Sequence, residues 1–393
     1  MDLERWKRLQ ETWQPRLRDA AAHPLARWVL GGVAAGLVAG VLVLVYWRAP
    51  ASLEEESSRI TFFQIGAGAS DGPYFAIGGR LSAIVSRPPD AGRCEPGGPC
   101  GVEGVLAVVK SSAGSVANVR AVSAGHYESA LIQSTTLDQA FRARGAFRGE
   151  KPFENLRAIA SIYRETVHLV ASRGAGIAGV ADLKNKRLSV GPKGLGTDGM
   201  AGDILRAYGV SSRSLDISHD EPARAAEKLL RGQLDAFFFV AREPSPFLAD
   251  LANRGTIDIV PISGEEAAAL VAAHREFMPM HIAEGVYRFN PALDTLAVST
   301  VWVCNASADE ALIHDIAAAL FYQGNRELLP ASADLPQAAN KRDRPAEEAV
   351  RLELMRAATQ NLVIPLHPGA ERFYREENAL PEEAEKPEEK ATP

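Results

Sequence analysis

The sequence predicts an α/β protein with mixed sheets, preceded by one N-terminal transmembrane helix. Apolar runs typical of strands alternate with helical patterns from about residue 60 onward. Glycine-rich and small polar loops separate several of these strands from the helices that follow them. An uncharged apolar stretch comes before this alternation. Because the chain has 393 residues, 46% of them hydrophobic, it can bury a full core, and we expect two lobes.

The first predicted element is a membrane helix over residues 28–47, which contain no charged side chain. Trp28 lies at one end and Tyr46 and Trp47 at the other, as in an aromatic belt. Basic residues precede this segment and glutamates follow it, which predicts a cytoplasmic N-terminus and an external remainder. We favour an uncleaved anchor in the cytoplasmic (inner) membrane over a cleaved signal peptide, because about 27 residues precede the segment. Three glycines at four-residue spacing leave helix pairing open.

The segments on either side of the predicted folded domain are polar. Residues 1–27 are predicted to be a short cytoplasmic segment, and residues 48–58 a linker. Residues 376–393 carry many glutamates and three prolines, a composition that predicts a disordered acidic tail.

Between the linker and the acidic tail, predicted strands alternate with predicted helices. Strands are predicted at 60–66, 104–110, 129–132, 158–163, 166–172, 187–191, 235–240, 257–260 and 296–304. Helices are predicted at 74–86, 114–124, 136–142, 179–184, 198–208, 222–231, 264–275, 308–322 and 346–360.

Cysteine usage and charge exclude several functions. Cys94 and Cys100 enclose the turn-rich segment Glu-Pro-Gly-Gly-Pro, and we favour a disulfide there over a zinc site, which would need further ligands nearby. Cys304 lies in an apolar run and is predicted to be a buried thiol. A net charge of −6 argues against non-specific nucleic-acid binding. We expect no cofactor and no metal.

The most informative segment runs from Ile60 to Tyr74, where an apolar strand pattern ends in a loop of small residues and a helical pattern follows at once. Small residues let a ligand approach the backbone, and the free N–H groups of a helix start attract anions. The same order of strand, small polar loop and helix recurs in residues 102–118 and 182–197. The sequence therefore predicts a ligand site built from strand ends and helix starts.

Three further segments are distinctive: Gln133-Ser134 at a strand end, Asp182-Leu-Lys-Asn-Lys-Arg with its Gly-Pro-Lys-Gly-Leu-Gly-Thr turn, and His367-Pro-Gly-Ala near the end of the domain. Together, and in this order, they resemble the TAXI-type solute receptors of tripartite ATP-independent periplasmic (TRAP) transporters. The likeness spans roughly residues 61–374. It implies a two-lobed, type II-like periplasmic binding protein, with lobe 1 formed by 59–163 and 294–375 and lobe 2 by 164–293. This chain would be a membrane-anchored variant with its binding domain in the periplasm or outside the cell.

The resemblance also implies a function and a set of site residues. A small organic anion, such as a dicarboxylate or an acidic amino acid, would bind between the lobes and be presented to a TRAP-type permease. With Lys193 added for the electrostatic reason given below, and with Arg242 and Tyr287 as weaker members of the set, the predicted ligand-binding residues are Gly68, Ala69, Ser70, Asp71, Gly72, Tyr74, Ser112, Ser115, Gln133, Ser134, Lys193, Gly194, Gly196, Thr197, Arg242 and Tyr287.

Some of these residues also have structural explanations. Glycines form turns, Ser112 or Ser115 can cap a helix, and Tyr74 can pack in the core. Asp71 departs from the family pattern and would repel an anion if it capped the helix that begins near Pro73. We therefore hypothesise that Lys193 or Arg242 restores a positive field, or that the ligand is zwitterionic.

Two other classes of function compete with the solute receptor. A membrane-tethered sensory or accessory module could have the same fold without a role in transport. An enzyme is disfavoured because no nucleophile–base motif stands out in the sequence, so we expect a binding protein.

Overall fold

The computed structural model describes residues 36–43, 60–89, 91–95, 98–254, 257–288, 290–328 and 344–380. The chain divides into two compact units, residues 1–59 and 60–393. In the first unit, residues 36–43 are helical and exposed, and the rest of the predicted membrane segment 28–47 lies outside the described residues. Among the described residues, no helix combines the length and apolar character that crossing a membrane requires.

The second unit alternates strands and helices, as predicted. The strands are β1 Thr61–Gly66, β2 Ser86–Arg87, β3 Val102–Glu103, β4 Val105–Lys110, β5 Ser129–Gln133, β6 Leu156–Ser172, β7 Arg187–Ser189, β8 Asp216–Ser218, β9 Ala236–Ala241, β10 Ile257–Val260, β11 Met278–Ile282 and β12 Leu293–Asn305. The α-helices are α1 Pro73–Val85, α2 Ser115–Ser123, α3 Ser134–Phe141, α4 Thr197–Ala207, α5 Pro222–Leu230, α6 Pro246–Arg254, α7 Glu265–Ala273, α8 Glu310–Leu320, α9 Arg344–Thr359 and α10 Pro368–Glu376. Short 3₁₀ helices occur at Gly145–Phe147, Arg173–Ala175, Val180–Leu183, Ser212–Ser214 and Gln323–Leu328.

The described strands form one mixed sheet in the order β3-β2-β4-β1-β5-β12-β6-β9-β7-β8, with β10 paired to β6 and β11 to β12. β1 runs parallel to β4 and to β5, so the loops that follow these strands emerge at the same edge of the sheet. On the other side, β7 runs parallel to β8 and to β9. The prediction of mixed strand directions is confirmed, but one continuous sheet takes the place of separate ones.

Two long antiparallel strands, β6 and β12, make the sheet continuous. The first part of β6 pairs with β12, and its last residues pair with β9 and β10. β12 pairs with β5 near its end and with β11 near its start. The two predicted strands 158–163 and 166–172 are therefore one strand, which continues through Arg164 and Glu165.

Four clusters of buried apolar side chains stabilise the second unit. Two of them draw on residues 63–160 and 301–379, and the other two on residues 167–298. Trp302 of β12 is fully buried, packs edge-on against Phe63 and donates its indole N–H to the hydroxyl of Ser129 (3.0 Å). This segregation of apolar side chains is compatible with the predicted lobes, whose boundaries stay a prediction.

The acidic tail begins later than predicted. Residues 376–380 belong to the folded unit, because Arg351 forms two hydrogen bonds to the carboxylate of Glu377 (2.7 and 2.8 Å) and Ala379 is buried in an apolar cluster. Residues 381–393 lie outside the described residues. The prediction of disorder from residue 376 is therefore wrong for its first five positions.

The predicted disulfide between Cys94 and Cys100 is confirmed, and Cys304 is a buried free thiol, as predicted. The backbone of Cys100 is fixed by the fully buried Asn325, whose side chain accepts from the Cys100 amide (3.0 Å) and donates to its carbonyl (2.8 Å). The disulfide loop is thereby attached to the segment that follows α8.

We expect the double substitution of Cys94→Ser and Cys100→Ser to lower the free energy of unfolding by about 2 kcal/mol, because a short cross-linked loop restricts the unfolded chain. Urea denaturation measures this change. The wild-type protein in a reducing agent should match the variant, and the variant itself should not respond to the reducing agent. A response of the variant would contradict the assignment, since the remaining cysteine is unpaired.

Candidate functional site

The loops that follow the parallel strands β1 and β4 lie against each other at one edge of the sheet. The amide of Ser112 donates to the carbonyl of Gly68 (2.9 Å), and the Ser112 hydroxyl donates to the carbonyl of Ala67 (3.0 Å). Asn118 of α2, which the sequence did not single out, is fully buried and donates to the same carbonyl of Ala67 (2.5 Å). Ser112 and Asn118 therefore fix the conformation of the loop after β1.

Helix α1 begins directly after this loop, and no side chain caps its first turn. Its N-cap residue is Gly72, whose amide donates to the carbonyl of Ala69 (2.9 Å). Ser70 and Asp71 are exposed in the same turn. The hypothesis that Asp71 caps this helix is wrong, because the N-cap is Gly72 and no described side chain, including that of the exposed Asp71, caps the first turn. The positive end of the α1 dipole is consequently not neutralised by a capping carboxylate.

Two predicted ligand residues beside the end of β5, Ser115 at the start of α2 and Ser134 at the start of α3, are engaged in internal hydrogen bonds. The hydroxyl of Ser115 accepts from the amide of Gln133 (3.1 Å). The hydroxyl of Ser134 donates to the carbonyl of Glu276 (3.1 Å) and accepts from the amide of Ser299 (3.0 Å). Both serines are buried, so these bonds support the structural explanation for them.

The glycine-rich loop before α4 lies directly against β5 and α2. The amide of Val116 donates to the carbonyl of Gly194 (3.2 Å). Gly196 has φ +109°, and a Cβ atom there would lie 2.8 Å from both Gln133 Oε1 and Thr136 Oγ1. The residues on either side of this contact come from the two predicted lobes, so the structure brings both halves of the predicted site together.

A buried carboxylate, Glu165, lies at the centre of this region, in the middle of β6. Glu165 is only 3% exposed and accepts hydrogen bonds from the hydroxyls of Tyr74 (2.8 Å), Thr300 (2.9 Å) and Tyr163 (3.3 Å). The side chain of Gln133 also bonds to it. Burial raises the pKa of Glu165 to about 6, and these hydrogen bonds oppose the rise. Of the five residues, Tyr74 and Gln133 were predicted to line the site.

The hydrogen bonds to Glu165 connect three strands of the sheet, β5, β6 and β12, with helix α1. Tyr74 belongs to the first turn of α1, Gln133 ends β5, and Thr300 pairs with both Gln133 and Tyr163 across the sheet. Burial and the charge of Glu165 raise the pKa values of Tyr74 and Tyr163 well above their usual range. Both phenols are therefore neutral donors at physiological pH.

The two predicted cations are exposed. Arg242 follows β9, and its charge acts on the Tyr163 phenol, where it opposes the effect of burial on the pKa of that group. Lys193 precedes Gly194 in the glycine-rich loop. Within the described part of the chain neither side chain forms an ion pair, so both charges are available to a ligand. Thr197 is half-buried at the start of α4.

Tyr287 does not fit the predicted ligand role. It is 2% exposed, and its hydroxyl accepts from the amide of Ser245 (3.0 Å) and bonds to Nε2 of the fully buried His168 (3.0 Å). The hydroxyl is thus occupied inside an apolar cluster. Across the described ranges, no three His, Cys, Asp or Glu side chains converge as metal ligands.

Three solved structures of binding proteins show remote similarity to this chain. The periplasmic aliphatic sulphonate binding protein SsuA from Escherichia coli is 12% identical over 81% of this chain and 79% of its own, with a TM-score of 0.39. The alkanesulfonate-binding protein SsuA from Xanthomonas axonopodis pv. citri, bound to MOPS, is 16% identical over 81% and 84%, with a TM-score of 0.41. A TctC solute binding protein from Polaromonas is 15% identical over 68% and 86%, with a TM-score of 0.42.

The described strands and helices form an α/β fold with one mixed sheet. The model of one protein family, the NMT1-like family, matches residues 65–377, which include the strands, loops and helices described above. The chain therefore belongs to the NMT1-like family.

Proposed function

We propose that this chain is the extracytoplasmic solute-binding subunit of a TRAP-type transporter of the TAXI group. In this role it binds a small organic anion or amino acid between two lobes and delivers it to a membrane permease. Membership of the NMT1-like family supports the proposal. The observation that carries it is the direct contact of the glycine-rich loop before α4 with the end of β5, beside the hydrogen-bonded Glu165.

The arrangement supports binding of a carboxylate-bearing solute at two places. The uncapped start of α1 offers backbone N–H groups and the positive end of a helix dipole. Arg242, which lacks an ion-pair partner among the described residues, can bind a carboxylate through two parallel N–H bonds. Residues 28–47 would hold the domain at the outer face of the cytoplasmic membrane, in contact with the lipid bilayer. The uncharged sequence of that segment supports this part of the proposal.

Native mass spectrometry of the full chain, purified in a mild detergent, tests the binding function. We expect a co-purified organic solute of low mass, and we expect that solute to raise the thermal unfolding midpoint of the emptied protein. Co-purification of a TRAP-type permease subunit would support the transport role. If no solute is found and no dicarboxylate or amino acid raises the midpoint, the sensory or accessory function is favoured instead.

Arg242→Ala is expected to weaken binding of a carboxylate-bearing solute about 10-fold or more, because a hydrogen bond to a charged group contributes about 1.5–3 kcal/mol. Isothermal titration calorimetry measures the change. Arg213→Ala is the matched control, since Arg213 is also exposed and forms no ion pair within the described ranges. Equal affinities of Arg242→Ala and the wild type would exclude the role of Arg242.

A further inference from the structure

The groups around Glu165 are all oriented by its carboxylate. The hydroxyls of Tyr74, Tyr163 and Thr300 each possess a single proton, and each donates that proton to Glu165. The remaining lone pairs of these three oxygens can therefore only accept hydrogen bonds. The fourth residue that bonds to Glu165 is Gln133. Its Oε1 atom already accepts from the hydroxyl of Thr135 (2.8 Å).

The charge of this cluster is not balanced by the protein. Within the part of the chain that the structure describes, no lysine, arginine or histidine forms an ion pair with Glu165, although its side chain is almost completely buried. A buried carboxylate without a cationic partner is unfavourable, even when neutral groups donate hydrogen bonds to it. A ligand that contributes a positive charge and N–H donors would remove this imbalance.

We propose that the bound solute carries a protonated amine, and that this ammonium group binds beside Glu165, where it can donate to the hydroxyl oxygens of Tyr74 and Tyr163. The carboxylate of the same solute then faces Arg242 and the start of α1. The ligand class is thereby an amino acid and not a dicarboxylate. This inference rests on the proposed solute-binding function and narrows its ligand.

The cluster also predicts how binding depends on pH. The titratable groups that contact Glu165 are Tyr74 from α1 and Tyr163 on its own strand, while β5 and β12 contribute the neutral Gln133 and Thr300. Among the described residues, the one charged group acting on this cluster through Tyr163 is Arg242, which follows β9. Both tyrosines stay neutral because burial raises their pKa values, and arginine stays charged. The pKa of Glu165, raised to about 6 by burial, therefore governs the profile, and affinity for an amine falls as the pH drops through this value.

The test compares pairs of solutes that differ only in the amine. Isothermal titration of the full chain would use L-glutamate with glutarate, L-aspartate with succinate, and L-leucine with 4-methylpentanoate, at pH 7.5 and pH 5.0. Glu165→Gln retains the size of the side chain and removes its charge. Glu227→Gln is the matched control, because Glu227 is an exposed carboxylate on α5.

For at least one pair we expect the wild type to bind the amine about 10-fold or more tightly than its partner at pH 7.5. This preference should fall at pH 5.0, vanish in Glu165→Gln and persist in Glu227→Gln. Three results would each overturn the inference and leave the binding function intact. The wild type could bind the solute without the amine more tightly, the preference for the amine could survive in Glu165→Gln, or the co-purified solute could lack an amine. Absence of any solute, by titration and by native mass spectrometry, would instead overturn the proposed function and the inference with it.

Discussion

Gly196→Ala is expected to weaken solute binding about 10-fold or more, because the new methyl group would enter the contact between the glycine-rich loop and β5. A Cβ atom at this position would lie 2.8 Å from Gln133 Oε1 and from Thr136 Oγ1. Neither side chain can move freely. Gln133 is buried and bonded to Thr135 and Glu165, and the β-branched side chain of Thr136 has few rotamers. The loop must therefore shift away from Gln133 and Thr136, on the other side of the proposed binding site.

The backbone at Gly196 would be strained by any side chain, and a control variant separates this effect from the contact. Gly264, the N-cap residue of α7, has φ +101°, close to the φ of +109° at Gly196, but the nearest atom to its Cβ position is Glu266 Oε2 at 3.4 Å. We expect Gly264→Ala to lower the free energy of unfolding by about 1–3 kcal/mol and to leave affinity unchanged. Denaturation and calorimetry on both variants measure the two quantities. Equal affinities for the two variants would show that this contact plays no part in binding.

The order of strands and helices was largely predictable because each parallel strand is an apolar run that ends at small residues. The predicted strand 104–110 became Val105–Lys110, and the predicted helix 198–208 became Thr197–Ala207. Helices α6 and α10 were missed, since each begins at a proline within a loop-like segment. Strand β6 was divided in two because Arg164 and Glu165 interrupt its apolar pattern. Only tertiary hydrogen bonds make a carboxylate acceptable inside that strand.

In the candidate site, too, the residues with a local sequence motif were predictable and those held by tertiary hydrogen bonds were not. Residues 68–72 and Gln133 were recognisable as strand ends followed by helix starts. Glu165, by contrast, has no local motif, and its donors come from α1, β6 and β12. Its one signal in the sequence is a charged residue within an otherwise apolar strand. Tyr287 illustrates the same difficulty, because nothing in its sequence context indicates that His168 and Ser245 occupy its hydroxyl.

Glu165→Gln is expected to stabilise the solute-free protein at neutral pH. The pKa of Glu165 is raised by burial from 4.5 to about 6, so the folded state holds the proton more tightly than the unfolded state does. The stability associated with this proton is fully present below pH 4.5 and is lost as the pH rises through about 6. A rise of this size in the pKa corresponds to about 2 kcal/mol. Glutamine, which is neutral at every pH, can bond to the same hydroxyls after they reorient and escapes this loss.

Urea denaturation from pH 4 to pH 8 on the emptied protein measures the effect. Below pH 4.5 the two proteins should differ little, and above pH 7 the variant should be more stable by about 2 kcal/mol. Glu227→Gln, which removes an exposed carboxylate, should follow the wild type across the whole range. A variant that is less stable than the wild type at pH 8 would mean that the ionised Glu165 stabilises the fold. A gain in stability together with a loss of amine binding would instead show a carboxylate that is unfavourable for folding and required for recognition of the solute.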